Sequence, residues 1–188
     1  SRAFLEGLFD IAVATAHPKL DVLINNAGLH LGEIAPGFFG LGQAKWQSFY
    51  AVNLIGRLLL AEAVYAPLKA AKGLIINKSS MASYQPQTAY GITKASLNIF
   101  THAMAAQFGV DEIRCVAIAP GLMETPAAKG GVEGDNWQRL MAMQSVKRQG
   151  TAEDIANLGL FLASEEGSFI NNQVILCDGG NAMRGFRI

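Results

Sequence analysis

The stretch that decides the fold is Gly73-Leu74-Ile75-Ile76-Asn77-Lys78-Ser79-Ser80, followed by the segment Ala89 to Phe108 and then by Ile113 to Ala119 with the breaker Pro120-Gly121. The first run is short, continuous and apolar and ends in a polar serine pair, which reads as a buried strand entering a loop. Ala89 to Phe108 carries its apolar residues at helical spacing, and Ile113 to Ala119 is another buried strand. Strand, long helix and strand in succession form the unit from which parallel sheets are built.

The same alternation extends both ways. On the amino side, residues 3 to 16 place Phe4, Leu5, Leu8, Phe9, Ala12 and Val13 at helical spacing, and Pro18 stops that helix ahead of a strand, Val22-Leu23-Ile24. The strand ends in the turn composition Asn25-Asn26-Ala27-Gly28. A Gly-rich stretch from Gly32 to Gly42 then leads into an apolar-periodic segment from Lys45 to Ala71, read as one long helix broken near Pro67. On the carboxyl side, residues 122 to 138 contain Gly130-Gly131 and Gly134 and read as a mobile insertion and a candidate lid. Thr151-Ala152-Glu153-Asp154 is a helix start with Thr151 as N-cap and an acid at the third helical position. Ile155 to Ala163 continues as an amphipathic helix, and Gln173 to Leu176 is the last strand. The expectation is an α/β fold: a doubly wound parallel sheet with helices on both faces, in a single domain over residues 1–188.

Composition agrees. Of 188 residues, 51% are hydrophobic and 16% charged, enough to fill one core and too apolar for a disordered tail. Fifteen Lys plus Arg balance fifteen Asp plus Glu, so no broad basic field exists to hold nucleic acid or an anionic membrane surface. No run of about 18 uncharged apolar residues reads as a membrane span. Cys115 and Cys177 form neither a metal-ligand spacing nor a disulfide framework; both read as small buried apolar residues in a reducing, cytoplasmic setting. His17, His30 and His102 lack acidic or cysteine companions at ligand spacing, so no metal site is expected.

Tyr90 and Lys94 lie four apart on the long helix and project from one face. An ammonium beside a phenol stabilises phenolate, and the expectation is a tyrosine pKa lowered from about 10 toward neutrality, making a general acid and base. Alone, this spacing equally describes a surface pair. Ser79-Ser80 fall at the carboxyl end of the preceding strand, where open parallel sheets bind ligands, and a hydroxyl there can polarise a carbonyl. Asn53 stands between Val52 and Leu54 in the middle of a helix, where a buried amide needs hydrogen-bond partners and could fix a water or a backbone carbonyl. Asn77 carries the same ambiguity, and satisfying local backbone groups is one reading of it.

In this order the motifs resemble the short-chain dehydrogenase/reductase family over nearly the whole chain. They are Asn25-Asn26-Ala27-Gly28 after a strand, Asn53 in the next helix, Ser80, Tyr90 with Lys94, Pro120-Gly121 with Thr125, and Arg148 with Gly150 leading to Asp178-Gly179-Gly180. The resemblance implies hydride transfer between NAD or NADP and an alcohol/ketone substrate, with Tyr90 as proton donor and acceptor at the substrate oxygen. It further implies that Lys94 holds the nicotinamide ribose and lowers the tyrosine pKa, Ser80 orients the substrate carbonyl, and Asn53 supports a proton relay through water. Asn26, Ala27 and Gly28 would line the cofactor cleft; Pro120, Gly121, Met123 and Thr125 would surround the nicotinamide. A homodimer or homotetramer is implied too, and the apolar load of Phe49, Tyr50, Leu58, Leu59, Leu60, Phe100 and Met104 exceeds what one core-facing stripe needs.

The chain departs from that pattern at its start. No Thr-Gly-x-x-x-Gly-x-Gly turn after a first strand is present, and the cluster Gly37-Phe38-Phe39-Gly40-Leu41-Gly42 has the wrong spacing. About 60 residues of the family pattern are absent, roughly two strand-helix steps at near 30 residues each. The expectation is a partial Rossmann-like sheet with its N-terminal strands missing, the C-terminal two-thirds or more of the domain, with an unpaired edge at residues 21 to 25. A partial sequence of a full enzyme, a truncation, or a shortened protein completed by a partner would each account for this, and the Ser1 start favours the first two. A catalytically silent binding or assembly subunit is the rival function; retention of Asn53, Ser80, Tyr90 and Lys94 together speaks against it. A hydrolase lacks a Gly-x-Ser-x-Gly elbow. Ser80 and Tyr90 are ten apart, about three fewer than usual in the family, which leaves Ser80 and Ser83 both open as the substrate-facing hydroxyl, with Ser80 favoured. Asn171-Asn172 replaces a Thr-Gly turn that Asn can also adopt. The apolar lid residues Ala127, Ala128, Val132, Trp137, Leu140 and Met141 suggest a modestly hydrophobic substrate.

Overall fold

Four strands lie side by side in chain order, each parallel to its neighbour: β1 (Val22–Asn25), β2 (Leu74–Lys78), β3 (Arg114–Pro120) and β4 (Val174–Cys177). This is the arrangement in a computed structural model describing residues 18–29, 38–124, 138 and 141–181. The helix expected at residues 3 to 16, Thr125, His17, His30 and nearly all of the candidate lid lie outside the described residues.

The continuous apolar runs of β2 and β3 follow from burial on both faces. On one face Leu23, Ile75 and Cys115 pack against Ala61, Val64, Leu68, Met104 and Phe108; on the other, Leu74, Ile76, Val116 and Ile118 meet Leu162, with Ile155 and Leu158 at its margin. β1 is the open edge expected at residues 21 to 25. Ile24 is 60% exposed, because among the described residues β1 pairs on one side only and one of its faces is bare.

The long helix expected from Lys45 to Ala71 is three helices. α1 (Gln43–Tyr50) runs through a wide π-type turn at Ala51–Ile55 into α2 (Gly56–Ala63), and α3 (Tyr65–Ala71) follows. The break falls at Val64, whose φ of −106° leaves the helical region, three residues before Pro67 and so near it as expected. The cause is the proline: a continuous helix would drive its ring into the carbonyl of residue 63, and the chain bends one residue later. Pro67 then sits in the first turn of α3, where no N–H is needed, and its carbonyl accepts from Leu20 N–H at 3.0 Å.

α4 spans Ala89–Phe108, capped by the Thr88 hydroxyl accepting from Gly91 N–H at 3.1 Å. A side chain at Gly91 would meet the Ala82 carbonyl at 2.8 Å, so this glycine lets the single 3₁₀ turn at Met81–Ser83 lie against the helix that carries Tyr90. α5 (Ala152–Ala163) starts with the expected capping box between Thr151 and Asp154. Its far end is held by Arg114, whose guanidinium donates to the carbonyls of Leu162, Gly167 and Ile170. Asn172 adopts φ +58°, the left-handed turn expected of it. Cys115 is fully buried and its thiol is pushed up to about 12 by that burial. Cys177 is only partly buried, contrary to expectation, because β4 is the last strand of the described sheet. Among the described residues no single helix is long and apolar enough to cross a membrane.

Candidate active site

Among the described residues, Ser80 stands just beyond the carboxyl end of β2, Asn26 just beyond that of β1, and Tyr90 and Lys94 on α4. The turn after β1 brings Asn26, Ala27 and Gly28 to the surface. Behind them Asn53, fully buried in the π-type turn, accepts from Leu29 N–H at 2.8 Å and donates to the Leu29 carbonyl at 3.2 Å and to Thr93 Oγ1 at 3.1 Å. The widened turn suits an interior amide, and such turns recur at functional sites. The expectation that Asn53 holds a backbone carbonyl is met.

A side chain at Gly28 would come within 3.0 Å of Asn53 Oδ1, 3.3 Å of Arg57 Nη2 and 3.6 Å of Lys94 Nζ. Asn53, Arg57 and Lys94 therefore converge on one spot, with glycine as the residue that leaves it open. Lys94, 3% exposed, donates from Nζ to the Lys78 carbonyl at 2.7 Å and lies 5.4 Å from the centroid of the Tyr90 ring. Tyr90 in turn hydrogen-bonds Ser80. The Ser80 hydroxyl also accepts from Ala82 N–H at 3.1 Å. Ser83 turns inward instead, donating to the Ser80 carbonyl at 2.7 Å and accepting from Asn98 Nδ2 at 2.8 Å, so Ser80 is the hydroxyl on the tyrosine side.

The electrostatics differ from expectation. Burial raises the Tyr90 pKa above its ordinary value, and the groups that pull it back are the Ser80 hydrogen bond and the positive charge of Arg57, not Lys94. Burial is also the first cause for Lys94, whose pKa falls to about 6 with further help from Arg57 and Lys78. The lysine's charge is thus opposed by burial and by its two basic neighbours. Arg57 is the residue that sequence reasoning missed. Its signal was present: a charge inside Gly56-Arg57-Leu58-Leu59-Leu60, one helical turn past Asn53.

Pro120, Gly121 and Met123 form a second group at the end of β3. Gly121 N–H donates to the Cys177 carbonyl at 2.9 Å, and a side chain there would strike the Asp178 backbone at 2.5 Å. Met123 bridges to Gly150, whose missing side chain makes room for the Met123 thioether. Next to this group is a cavity of about 240 Å³ lined by Met123, Gln144, Gly150, Asp178 and Gly179, among others. Arg148 of the Arg-x-Gly motif grips Asp154 with two bonds of 2.7 Å, serving the start of α5. Asn77 is fully buried, and side chains rather than local backbone groups satisfy it. Its amide bonds side chains, accepting from Asn25 Nδ2 at 2.9 Å and donating to Thr101 Oγ1 at 3.0 Å, because register places it directly opposite Asn25 between buried strands. Among the described residues no group of three or more His, Cys, Asp or Glu could hold a metal ion.

Topology and polar cluster together define the class: a Rossmann-like α/β protein with its candidate site at the carboxyl ends of parallel strands. A family model described as enoyl-(acyl carrier protein) reductase matches residues 1–182. A probable short-chain type dehydrogenase/reductase of Bradyrhizobium diazoefficiens is 35% identical over 86% of this chain and 59% of its own length. The 2-keto-3-deoxy-L-fuconate dehydrogenase of Xanthomonas campestris is 34% identical over 90% of this chain and 59% of its own. The solved structure of a 7α-hydroxysteroid dehydrogenase with NADH and 7-oxo glycochenodeoxycholic acid superposes with a TM-score of 0.87 at 30% identity, covering 96% of this chain and 71% of that one. The chain belongs to the short-chain dehydrogenase/reductase family and spans 59% of the length of those first two relatives.

Proposed function

We propose that the protein is an NAD(P)-dependent oxidoreductase acting on an alcohol/ketone pair, with Tyr90 as the acid–base group. The observation that carries this reading is the Ser80–Tyr90–Lys94 arrangement, a serine hydroxyl on the phenol and a lysine over its ring, at the carboxyl ends of β1 to β3.

The residues present fit a nicotinamide nucleotide. Gly28 leaves open the spot that a side chain would fill, beside a lysine Nζ with donor capacity beyond its single bond to the Lys78 carbonyl. Lys94 and Tyr90 would hold the ribose, Asn26, Ala27 and Gly28 would line the cleft, and Pro120, Gly121, Met123 and Thr125 would flank the ring. The cofactor supplies the hydride chemistry when bound. The chain's own work is proton handling. In the reductive direction the Tyr90 hydroxyl gives its proton to the substrate oxygen, and in the oxidative direction it takes one back. Ser80 orients that oxygen, and Asn53 fixes the wall behind Lys94 through its two bonds to Leu29.

Homo-oligomerisation belongs to the same reading. It is supported by a surface recess of about 440 Å³ in which Leu58, Tyr65 and Phe100 are partly exposed beside Glu62 and Gln107, with the core residues Met104 and Phe108 at its lining. A cytoplasmic setting is supported by two unpaired cysteines. The test is consumption of NADH or NADPH by the intact protein with a panel of small ketones, with Tyr90→Phe alongside; turnover unaffected by that substitution would sink the assignment.

A further inference from the structure

Tyr90, Lys94 and Asn98 stand four apart along α4, and the last of the three carries an amide rather than an ionisable group. That amide touches both ends of the short segment that carries Ser80. Asn98 Oδ1 accepts from Ser79 Oγ at 2.5 Å, and Nδ2 donates to Ser83 Oγ at 2.8 Å. Counting protons fixes these directions. The Ser80 carbonyl can only accept, so Ser83 spends its single hydroxyl proton there, at 2.7 Å. Ser83 must then accept from Asn98, which turns the amide NH2 toward it and leaves the amide oxygen for Ser79. The Lys94 carbonyl, at 3.5 Å, offers the Ser79 hydroxyl only a longer bond. Ser79 and Ser83 are both buried, so a broken link there leaves a polar group that water does not readily satisfy.

We propose that Asn98 is a positioning residue for Ser80: by holding Ser79 and Ser83 together it fixes the backbone between them and so aims the Ser80 hydroxyl at the Tyr90 oxygen. The inference rests on the acid–base reading of Tyr90 and deepens it by naming what supports the serine. Support is needed because β2 ends at Lys78 and the 3₁₀ turn that follows is three residues long. Its own bonds are Ser83 N–H to the Ser80 carbonyl at 3.0 Å and Tyr84 N–H to the Met81 carbonyl at 3.1 Å, and one turn is a poor nucleus by itself. The clamp comes from α4, the helix that also carries Tyr90, so serine and phenol are referred to one rigid element. A shift of about 1 Å at such a group can cost up to about 100-fold in rate.

The test reads the Tyr90 ring carbon that bears the hydroxyl, by carbon-13 NMR of the intact protein labelled at tyrosine Cζ, at neutral pH without cofactor or substrate. Tyr90→Phe supplies the assignment, and Ser80→Ala supplies the displacement of the signal when the serine bond to the phenol is lost. Asn98→Leu keeps the bulk of the side chain and removes both polar ends. In that variant the Tyr90 signal moves in the same direction as in Ser80→Ala, by about half as much or more, and adding Asn98→Leu to Ser80→Ala moves it no further. With NADH or NADPH and a ketone that the protein reduces, Asn98→Leu lowers kcat by about tenfold in the wild-type background and by less than about twofold in the Ser80→Ala background. An unmoved Tyr90 signal in Asn98→Leu overturns the proposal, as does a further displacement in the Ser80→Ala background, which would mean that Asn98 reaches the phenol by another route. Should Asn98→Leu fail to fold, Ser83→Ala decides on the same signal, since it cuts the last link to the Ser80 carbonyl. The signal is read without turnover, so its failure is distinct from failure of the Tyr90 assignment, which the Tyr90→Phe activity measurement judges separately.

Discussion

Asn53 and Leu29 exchange two hydrogen bonds, Leu29 N–H to Asn53 Oδ1 at 2.8 Å and Asn53 Nδ2 to the Leu29 carbonyl at 3.2 Å, so that a side-chain amide pairs with backbone as a neighbouring strand would. The pairing ties the turn after β1 to the π-type turn between α1 and α2. Asn53→Ala strands the Leu29 groups and Thr93 Oγ1 without that amide. The expected loss is about 2 kcal/mol of unfolding free energy by urea titration at unchanged slope, and a loss below about 0.5 kcal/mol would show that water replaces the amide.

Tyr90→Phe removes the hydroxyl and little else. Turnover should fall by about 10²- to 10⁴-fold while the dissociation constant for NAD(P)H, read by fluorescence, stays within a factor of about three. Ser80→Ala should reduce turnover less, since the phenol keeps its own proton.

Lys94 gives stability a pH dependence whose sign follows from its lowered pKa. The unfolded chain protonates this lysine below ~10.4 and the folded chain only below about 6, so between those values the unfolded state binds more protons and stability rises with pH. Lys94→Met should flatten that rise between about pH 6 and 9 in melting experiments. A variant keeping the full wild-type slope would place the titration elsewhere.

Gly121→Ala sets a methyl 2.5 Å from the Asp178 Cα, where backbone rather than a flexible side chain must move. A cost of about 1–3 kcal/mol is expected by chemical denaturation. Gly109→Ala, which meets nothing within 4 Å, serves as the comparison and should leave the midpoint nearly unchanged.

Thr151→Ala removes the cap of α5 and should cost about 1 kcal/mol. Asp154, held well below the usual carboxylate range by Arg148 and then by the Thr151 backbone, contributes stability that is present above its unfolded pKa near 4 and fades as pH falls below it. Acid melts of Asp154→Asn should lose that portion of the pH dependence.

Periodicity and punctuation along the chain were enough to recover β2, α4, β3 and the capped start of α5, and to place Tyr90 and Lys94 on one helical face. Those features depend on residues close in sequence: apolar runs, a cap three positions from its partner, side chains one turn apart. The side-chain partners of Asn77 and the inward turn of Ser83 were decided by packing between segments far apart in the chain. The charge states of the site belong to the same group. Spacing put a lysine next to a tyrosine, but only the folded arrangement seats Arg57 and Lys94 on the one Lys78 carbonyl and withdraws both from water, and burial together with that third group shifts the titration of the pair.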